Sequence, residues 1–234
     1  MRSSVSHLTS SPRFPHAGSV GFSWAVGAVL SLLMFAACSN GSGTSDDLPV
    51  YQDLSKSSFP LVNEDSVAVR FPRAYSGNVL VIGAIYTQCP DICAQVTANM
   101  VDVRQKLDNT DGVRFVTVSF DPRRDTPARM NAYKDAFRIG DAPWPFLTGP
   151  SDTIDTLMST LEIKTEISSG DTTGTYFIDH TDQITLVDSL GRIRYRYHGS
   201  GTPPEIIAED INKLRGLHSG ESAAPGRDLS PPRP

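Results

Sequence analysis

The chain has 234 residues, a formal net charge of −5 and 39% hydrophobic residues. This length suits one domain with terminal segments, or at most two small domains. The mild acidity and the lack of a dense run of Lys or Arg exclude a typical nucleic-acid-binding protein, so no nucleic acid is expected as a partner.

The first 38 residues are predicted to be an export signal, because a basic start leads into an apolar run and then into small residues. The sequence "FAAC" at residues 35–38 is similar to a bacterial lipobox, in which the cysteine, here Cys38, is lipidated. The alternative is an uncleaved signal anchor, since residues 18–37 are just long enough to span a bilayer. Both interpretations place the rest of the chain in the cell envelope, held at a membrane and facing the periplasm or the cell exterior. That environment permits disulfides.

Composition divides the remainder of the chain into three parts. Residues 39–53 begin with Ser and Gly and are predicted to be a flexible linker. Residues 218–234 are rich in Pro, Gly and Ser and are predicted to be a disordered tail. The segment between them, residues 54–217, is predicted to form one domain.

Strands and helices are predicted to alternate along this domain. Apolar runs rich in β-branched residues indicate buried strands, whereas apolar residues at helical spacing after a capping residue indicate helices. The order predicts an α/β layered domain with a central sheet flanked by helices. The first predicted elements are a strand at 78–87, a helix at 91–107, a strand at 113–120 and a helix at 127–137 with Thr126 as N-cap. A short strand and turn at 143–149 and a helix at 151–161, capped by Ser151 or Asp152, follow. The last predicted elements are a strand at 174–180, two strands within 182–199 that are joined by a turn at Ser189–Gly191, and a closing helix from Pro203 or Pro204 to residue 217.

Cys89 and Cys93 lie where the first of these strands gives way to its helix. Ligand sites in such sheets lie at the carboxyl ends of strands. If Pro90 is the first helical residue, Cys89 is the N-cap, and the free N–H groups of the helix favour its thiolate, although the charge of Asp91 opposes this. Residues four apart share one side of a helix, so both sulfurs can face one point.

Three interpretations of the cysteine pair remain open at this stage. Two thiolates attract soft ions, above all Cu(I) and also Zn(II), and they can also close reversibly into a disulfide. An inert staple is the third, although a disulfide across one helical turn stabilises little. A metal would need a third ligand, for which His180 at the end of an apolar strand is the favoured candidate. His198 ends a more charged strand and is predicted to lie on the surface.

Three separated motifs resemble the Sco/SenC family. They are "YTQCPDIC" at residues 86–93, "VSFDPRRDTP" at 118–127 and "YFIDHTDQITLVDSLGRI" at 176–193, and their order and spacing match across residues 59–199. The resemblance implies a thioredoxin-like fold, a central mixed sheet flanked by helices, with a late β-hairpin insertion. It also implies that the copper ligands are Cys89, Cys93 and His180, and that the two cysteines form a disulfide in the oxidised form. The loop after the second strand is predicted to be shaped by five residues of the second motif, Asp121, Pro122, Asp125, Thr126 and Pro127.

The function that the resemblance implies is the handling of Cu(I) and Cu(II) during assembly of the CuA centre of cytochrome c oxidase. The implied partner is subunit II of the oxidase, and a copper donor protein is a further candidate. Two alternatives stay open: a thiol-disulfide oxidoreductase that keeps the subunit II cysteines reduced, and a structural or zinc-binding exported domain. Only the reductase would be an enzyme. His180 discriminates between carrier and reductase, because a reductase needs the cysteines alone.

The chain departs from the usual family pattern at three positions. Ala94 stands where proline usually follows the second cysteine, Tyr86 replaces a common phenylalanine, and Ser189 follows Asp188 where proline is common. None of these positions is a predicted ligand.

Overall fold

The computed structural model describes residues 48–140, 142–170 and 176–221. Within them an eight-stranded mixed sheet has the spatial order β1-β10-β9-β4-β5-β6-β2-β3, and β7 and β8 form a separate two-stranded sheet. Strands β4, β5 and β6 are parallel to one another, whereas their neighbours in the sheet pair antiparallel. The strands are β1 (Gln52–Asp53), β2 (Phe59–Asn63), β3 (Ala68–Phe71), β4 (Val79–Ile85), β5 (Val113–Ser119), β6 (Phe146–Thr148), β7 (Thr165–Gly170), β8 (Tyr176–His180), β9 (Gln183–Val187) and β10 (Arg192–His198).

Helices cover both faces of the central sheet. β4 is buried along its whole length, and its alternate residues face opposite sides. Val79 and Val81 pack in one cluster with apolar residues of α1 and α4, whereas Leu80 and Ile82 pack in another with residues of α3. The predicted layered domain is thereby confirmed. Its helices are α1 (Ile92–Lys106), α2 (Pro127–Ala136), α3 (Ser151–Leu161) and α4 (Pro204–Glu221).

Gly83 allows α1 to approach the middle of β4 closely. A Cβ at this position would overlap the sulfur of Met100, which is itself buried between the helix and the sheet. This close packing sets the distance between α1 and β4. It thereby helps to position Cys93, which lies in the first turn of α1.

Several predicted boundaries differ from the structure. Strands β2 and β3 were not predicted, and β1 lies inside the predicted linker because it pairs with the edge of β10. Thr126 caps α2 as predicted, by accepting the backbone N–H of Arg129. The prediction that Ser151 or Asp152 caps α3 is wrong. Pro150 is the N-cap, and its carbonyl accepts the N–H of Ile154, so Ser151 is already helical. α4 starts at Pro204, which is one of the two predicted starts. It continues to Glu221, beyond residue 217, where the domain was predicted to end.

None of the helices in the described ranges is long and apolar enough to cross a bilayer. The predicted export signal, Cys38 and most of the predicted linker lie outside the described residues, as does residue 222 onward of the predicted tail. The division of the chain into signal, linker, domain and tail therefore remains a prediction.

Candidate metal centre

Cys89 lies ahead of α1, and Cys93 lies in its first turn. The helix begins at Ile92, because Asp91 has non-helical backbone angles (φ −144°, ψ −90°) and acts as the N-cap. The prediction that Pro90 is the first helical residue and Cys89 the N-cap is therefore wrong. The sulfur of Cys89 nevertheless lies against the helix start, where it accepts the backbone N–H of Cys93 at 3.4 Å. The expected interaction between this sulfur and a free N–H group is thus present, although the helix begins two residues later than predicted.

A buried carboxylate holds the loop that carries the cysteines. Asp125 is fully buried and accepts three hydrogen bonds, from the Thr87 N–H at 2.9 Å, the Thr87 hydroxyl at 2.5 Å and the Ser119 hydroxyl at 2.6 Å. Burial raises the pKa of Asp125, and the hydrogen bonds oppose that rise. The carboxylate therefore ties the turn after β4 to the end of β5, which confirms the predicted loop-shaping role for this residue.

His180 is the last residue of β8, which pairs with β7 outside the central sheet. Its predicted position at the carboxyl end of an apolar strand is confirmed, although this strand belongs to the separate hairpin and not to the central sheet. Its side chain is half-buried, whereas the neighbouring Asp179 is exposed on the other face, as predicted. The His180 Nδ1 lies 3.1 Å from the carbonyl oxygen of Thr181. A carbonyl only accepts, so Nδ1 carries the proton and Nε2 is the atom that can bind a metal.

The structure brings Cys89, Cys93 and His180 together. Their ligand atoms all lie within 4.8 Å of one another, and the Sγ of Cys93 is 3.3 Å from the Nε2 of His180. Sulfur and imidazole ligands lie about 2.0–2.3 Å from a zinc ion, so small side-chain rotations would let all three atoms reach one ion of that size. No other group of three such residues is found in the part of the chain that the structure describes.

Aromatic rings enclose the histidine side of this cluster. The ring of Phe120 lies 4.8 Å from that of His180, centroid to centroid, and Tyr86 approaches edge-on at 6.2 Å and 88°. His198, the other candidate, is 68% exposed and lies 3.3 Å from a carboxylate oxygen of Asp182. It is therefore a surface residue, as predicted.

The two thiols differ strongly in acidity. A hydrogen bond from the Cys93 thiol lowers the pKa of Cys89 to about 3, burial opposes this, and interactions with His180 and with backbone N–H groups lower it further. Burial raises the pKa of Cys93, and the Cys89 thiolate raises it further. Burial alone would lower the pKa of His180, but its hydrogen bond with Cys89 raises it overall. The cluster therefore holds one thiolate, one thiol and an imidazole that readily accepts a proton.

The acidity of Cys89 predicts selective alkylation in the reduced, metal-free protein. The thiolate is the nucleophile and persists at every pH above the pKa of the group. We expect iodoacetamide at about pH 5 to modify Cys89 and to leave the buried Cys93 unmodified. Peptide mapping by mass spectrometry identifies the modified cysteine.

A matched pair of substitutions isolates the cause of this acidity. Cys93→Ser keeps a hydrogen-bond donor near Cys89, so modification at low pH should persist, whereas Cys93→Ala removes the donor and should suppress it. Equal modification of Cys89 and Cys93 in the parent protein would contradict the assigned difference in pKa.

Two residues near the cluster had no predicted site role. Tyr86 was noted only as a departure from the family pattern, and Arg124 only as part of a loop motif. The Tyr86 hydroxyl accepts the backbone N–H of Ile178 at 3.3 Å, and Arg124 lies over the ring of Tyr176 at 3.5 Å. These contacts join segments far apart in sequence, so no local spacing or periodicity signals them.

A cysteine pair at the start of a helix that packs on a central mixed sheet, facing a histidine, defines a thioredoxin-like protein with a metal or redox site. The chain belongs to the SCO1/SenC family, whose model matches residues 50–216. This result confirms the family resemblance found in the sequence.

Individual relatives are consistent with the assignment. The SCO1 protein homolog of Bacillus subtilis is 28% identical over 162 residues, which cover 68% of this chain and 82% of the relative. The structure of Bradyrhizobium japonicum ScoI with copper bound is similar at a TM-score of 0.60 and 28% identity, covering 67% of this chain and 97% of that one. A SCO1/SenC family lipoprotein of Bacillus anthracis has a TM-score of 0.59 and 26% identity, covering 71% and 99%. The predicted thioredoxin-like fold is confirmed.

Proposed function

We propose that this protein is a membrane-tethered copper carrier that binds Cu(I) and Cu(II) through Cys89, Cys93 and His180 and supplies copper to the CuA centre of cytochrome c oxidase. The observation that carries the proposal is the convergence of these three ligand atoms within 4.8 Å. Two of them come from one helix start and the third from a separate hairpin.

The chemistry of the three ligands suits copper. Thiolates are soft ligands that select Cu(I), and imidazole binds copper in either oxidation state. Cu(I) can therefore be held by the two sulfurs, while Cu(II) gains the nitrogen as well. The copper in the Bradyrhizobium japonicum relative supports this choice over zinc.

Sco-family proteins are linked to cytochrome c oxidase assembly, which supports the proposed destination of the copper. The partner would be subunit II of the oxidase.

A strain that lacks the copper carrier proposed here tests the proposal when it is grown with little copper. The parent gene should restore oxidase activity, whereas Cys89→Ser and Cys93→Ser should not. Full restoration by either serine variant would overturn the proposed function.

Thiol-disulfide exchange is a second candidate function, and the difference in acidity between the cysteines favours it. A thiolate at Cys89 beside a buried thiol at Cys93 resembles the attacking and resolving pair of a disulfide reductase. In that reaction Cys89 attacks a disulfide of subunit II, Cys93 resolves the mixed disulfide, and both electrons pass to the substrate while Cys89 and Cys93 become oxidised. This chemistry does not need His180 as a ligand.

The proposed tether rests on the lipobox-like sequence at Cys38, and the Bacillus anthracis relative is a lipoprotein. We expect Cys38→Ser to block lipidation and signal cleavage, because the serine hydroxyl cannot replace the thiol that carries the lipid. The measurement is the mass and membrane fractionation of the expressed protein. Processing and anchoring of the variant in the same way as the parent would show that the anchor is of another kind, such as an uncleaved signal segment.

A further inference from the structure

One edge of β8 is bound by side chains instead of by a strand. β7 pairs with one edge of β8, and in the described residues no strand pairs with the other. The carbonyl of Tyr176 and the N–H of Ile178 point to that free edge, since alternate residues of a strand direct their backbone groups the same way. His180 follows two residues later on the same strand.

Arg124 binds the carbonyl on this edge. Its Nη1 donates to the Tyr176 oxygen at 2.7 Å, and its guanidinium lies over the Tyr176 ring at 3.5 Å from the centroid. The Nε of Arg124 also pairs with the buried carboxylate of Asp121, which accepts the Tyr176 hydroxyl at 2.5 Å. The start of β8 is thus attached to the loop after β5 by a hydrogen bond, a ring contact and a shared carboxylate.

Tyr86 binds the N–H on the same edge. Its hydroxyl accepts the Ile178 N–H at 3.3 Å, and its buried ring lies edge-on to His180. Because Tyr86 directly follows β4 and precedes Cys89 by three residues, this contact links the strand that carries the histidine to the segment that carries the cysteines. The guanidinium of Arg124 lies 5.4 Å from the Tyr86 ring, so the two side chains form one continuous contact surface.

We propose that Arg124 and Tyr86 are positioning residues that hold β8 by its free edge and so set the place of His180 relative to Cys89 and Cys93. The inference rests on the proposed copper-binding function. In this arrangement Arg124 and Tyr86 affect the affinity for Cu(II) more than the affinity for Cu(I). Cu(I) depends mainly on the two sulfurs, whose positions depend on α1 and Asp125, whereas Cu(II) depends strongly on the imidazole that β8 delivers.

Two substitutions in the full-length protein, purified in detergent, test this assignment. Tyr86→Phe removes only the hydroxyl, and Arg124→Gln removes the charge and the ring contact. Substitution of residues that orient a metal ligand without touching the metal typically lowers metal affinity by about 10- to 100-fold. We expect a loss of Cu(II) affinity in that range for each variant, with little change in Cu(I) affinity. The matched control is Arg123→Gln, at an exposed neighbouring arginine, which should change neither affinity.

A second readout needs no metal. In the reduced, copper-free parent protein, nuclear Overhauser contacts should connect the His180 ring to the Phe120 ring, whose centroids are 4.8 Å apart. These contacts should weaken in Tyr86→Phe and Arg124→Gln and persist in Arg123→Gln. Arg124→Lys, which keeps a donor for the Tyr176 carbonyl, should restore part of them.

The outcomes separate this inference from the proposed function. Parallel loss of Cu(I) and Cu(II) affinity would overturn the positioning role, because it would indicate a general loss of structure. Retention of parental Cu(II) affinity in both variants would overturn it as well. If the parent protein itself binds no copper, the proposed function fails, and the metal-free ring contacts then decide the positioning role by themselves: unchanged contacts overturn it, and weakened contacts support it.

Discussion

His180→Ala in the reduced soluble fragment that begins at residue 48 is expected to remove Cu(II) binding and to leave Cu(I) bound in weakened form. The two sulfurs near the start of α1 do not depend on the histidine, so Cu(I) keeps its soft ligands. Cu(II) loses its nitrogen ligand, and two thiolates without it should reduce Cu(II) and close to a disulfide. Loss of an outer-shell partner costs about 10- to 100-fold in metal affinity, so loss of the ligand itself should cost at least as much.

Competition with chelators of known affinity measures the Cu(I) and Cu(II) constants of this variant. His198→Ala is the matched control, because His198 is an exposed histidine that lies outside the cluster, and its loss should change neither constant. In cells that lack the parent protein and grow at low copper, His180→Ala should fail to restore oxidase activity. Full restoration by His180→Ala, combined with failure of both cysteine-to-serine variants, would favour the disulfide reductase over the carrier.

Asp125→Ala is expected to destabilise the fold strongly. The buried carboxylate accepts two hydrogen bonds from the half-buried Thr87 and one from the buried Ser119, and alanine would leave these donors without this acceptor. An unsatisfied buried donor costs about 1–3 kcal/mol. We therefore expect the free energy of unfolding to fall by about 3 kcal/mol, measured by urea denaturation of the soluble fragment.

Asp125→Asn serves as the control for this effect. Its amide keeps one acceptor oxygen for the Thr87 N–H and the Ser119 hydroxyl, which share one carboxylate oxygen in the parent protein, so its loss of stability should be clearly smaller. Because the Thr87 segment leads to Cys89, the alanine variant should also bind Cu(I) more weakly. An alanine variant as stable as the parent protein would show that the loop is held by other contacts.

The sequence predicted the central part of the fold well. β4, β5 and their helices carry continuous apolar runs and helical spacing, because they are buried on both faces or packed on the sheet. Strands β1 to β3 escaped prediction because they are short and partly exposed edge or near-edge strands with weak alternation. β7 escaped for a similar reason, since it lies in the small hairpin and most of its described side chains are exposed.

The ligand set illustrates what sequence patterns can and cannot supply. Spacing predicted that the sulfurs of Cys89 and Cys93 face one point, and that conclusion holds although Cys89 lies ahead of α1 and Asp91 is the N-cap. His180 was favoured by its position at a strand end and by the family resemblance, which also implied the late β-hairpin that the structure shows, but the β7 strand of that hairpin was not predicted. The contacts of Arg124 and Tyr86 with β8 depend on tertiary packing alone.

Titration with copper tests whether the reduced soluble fragment holds a copper site. We expect one copper bound per chain, and Cu(II) should produce a strong near-ultraviolet to visible band from sulfur-to-copper charge transfer. Cys89→Ser and Cys93→Ser should each lose this band. A fragment that prefers zinc and shows no such band with Cu(II) would contradict the assignment of Cys89, Cys93 and His180 as a copper site.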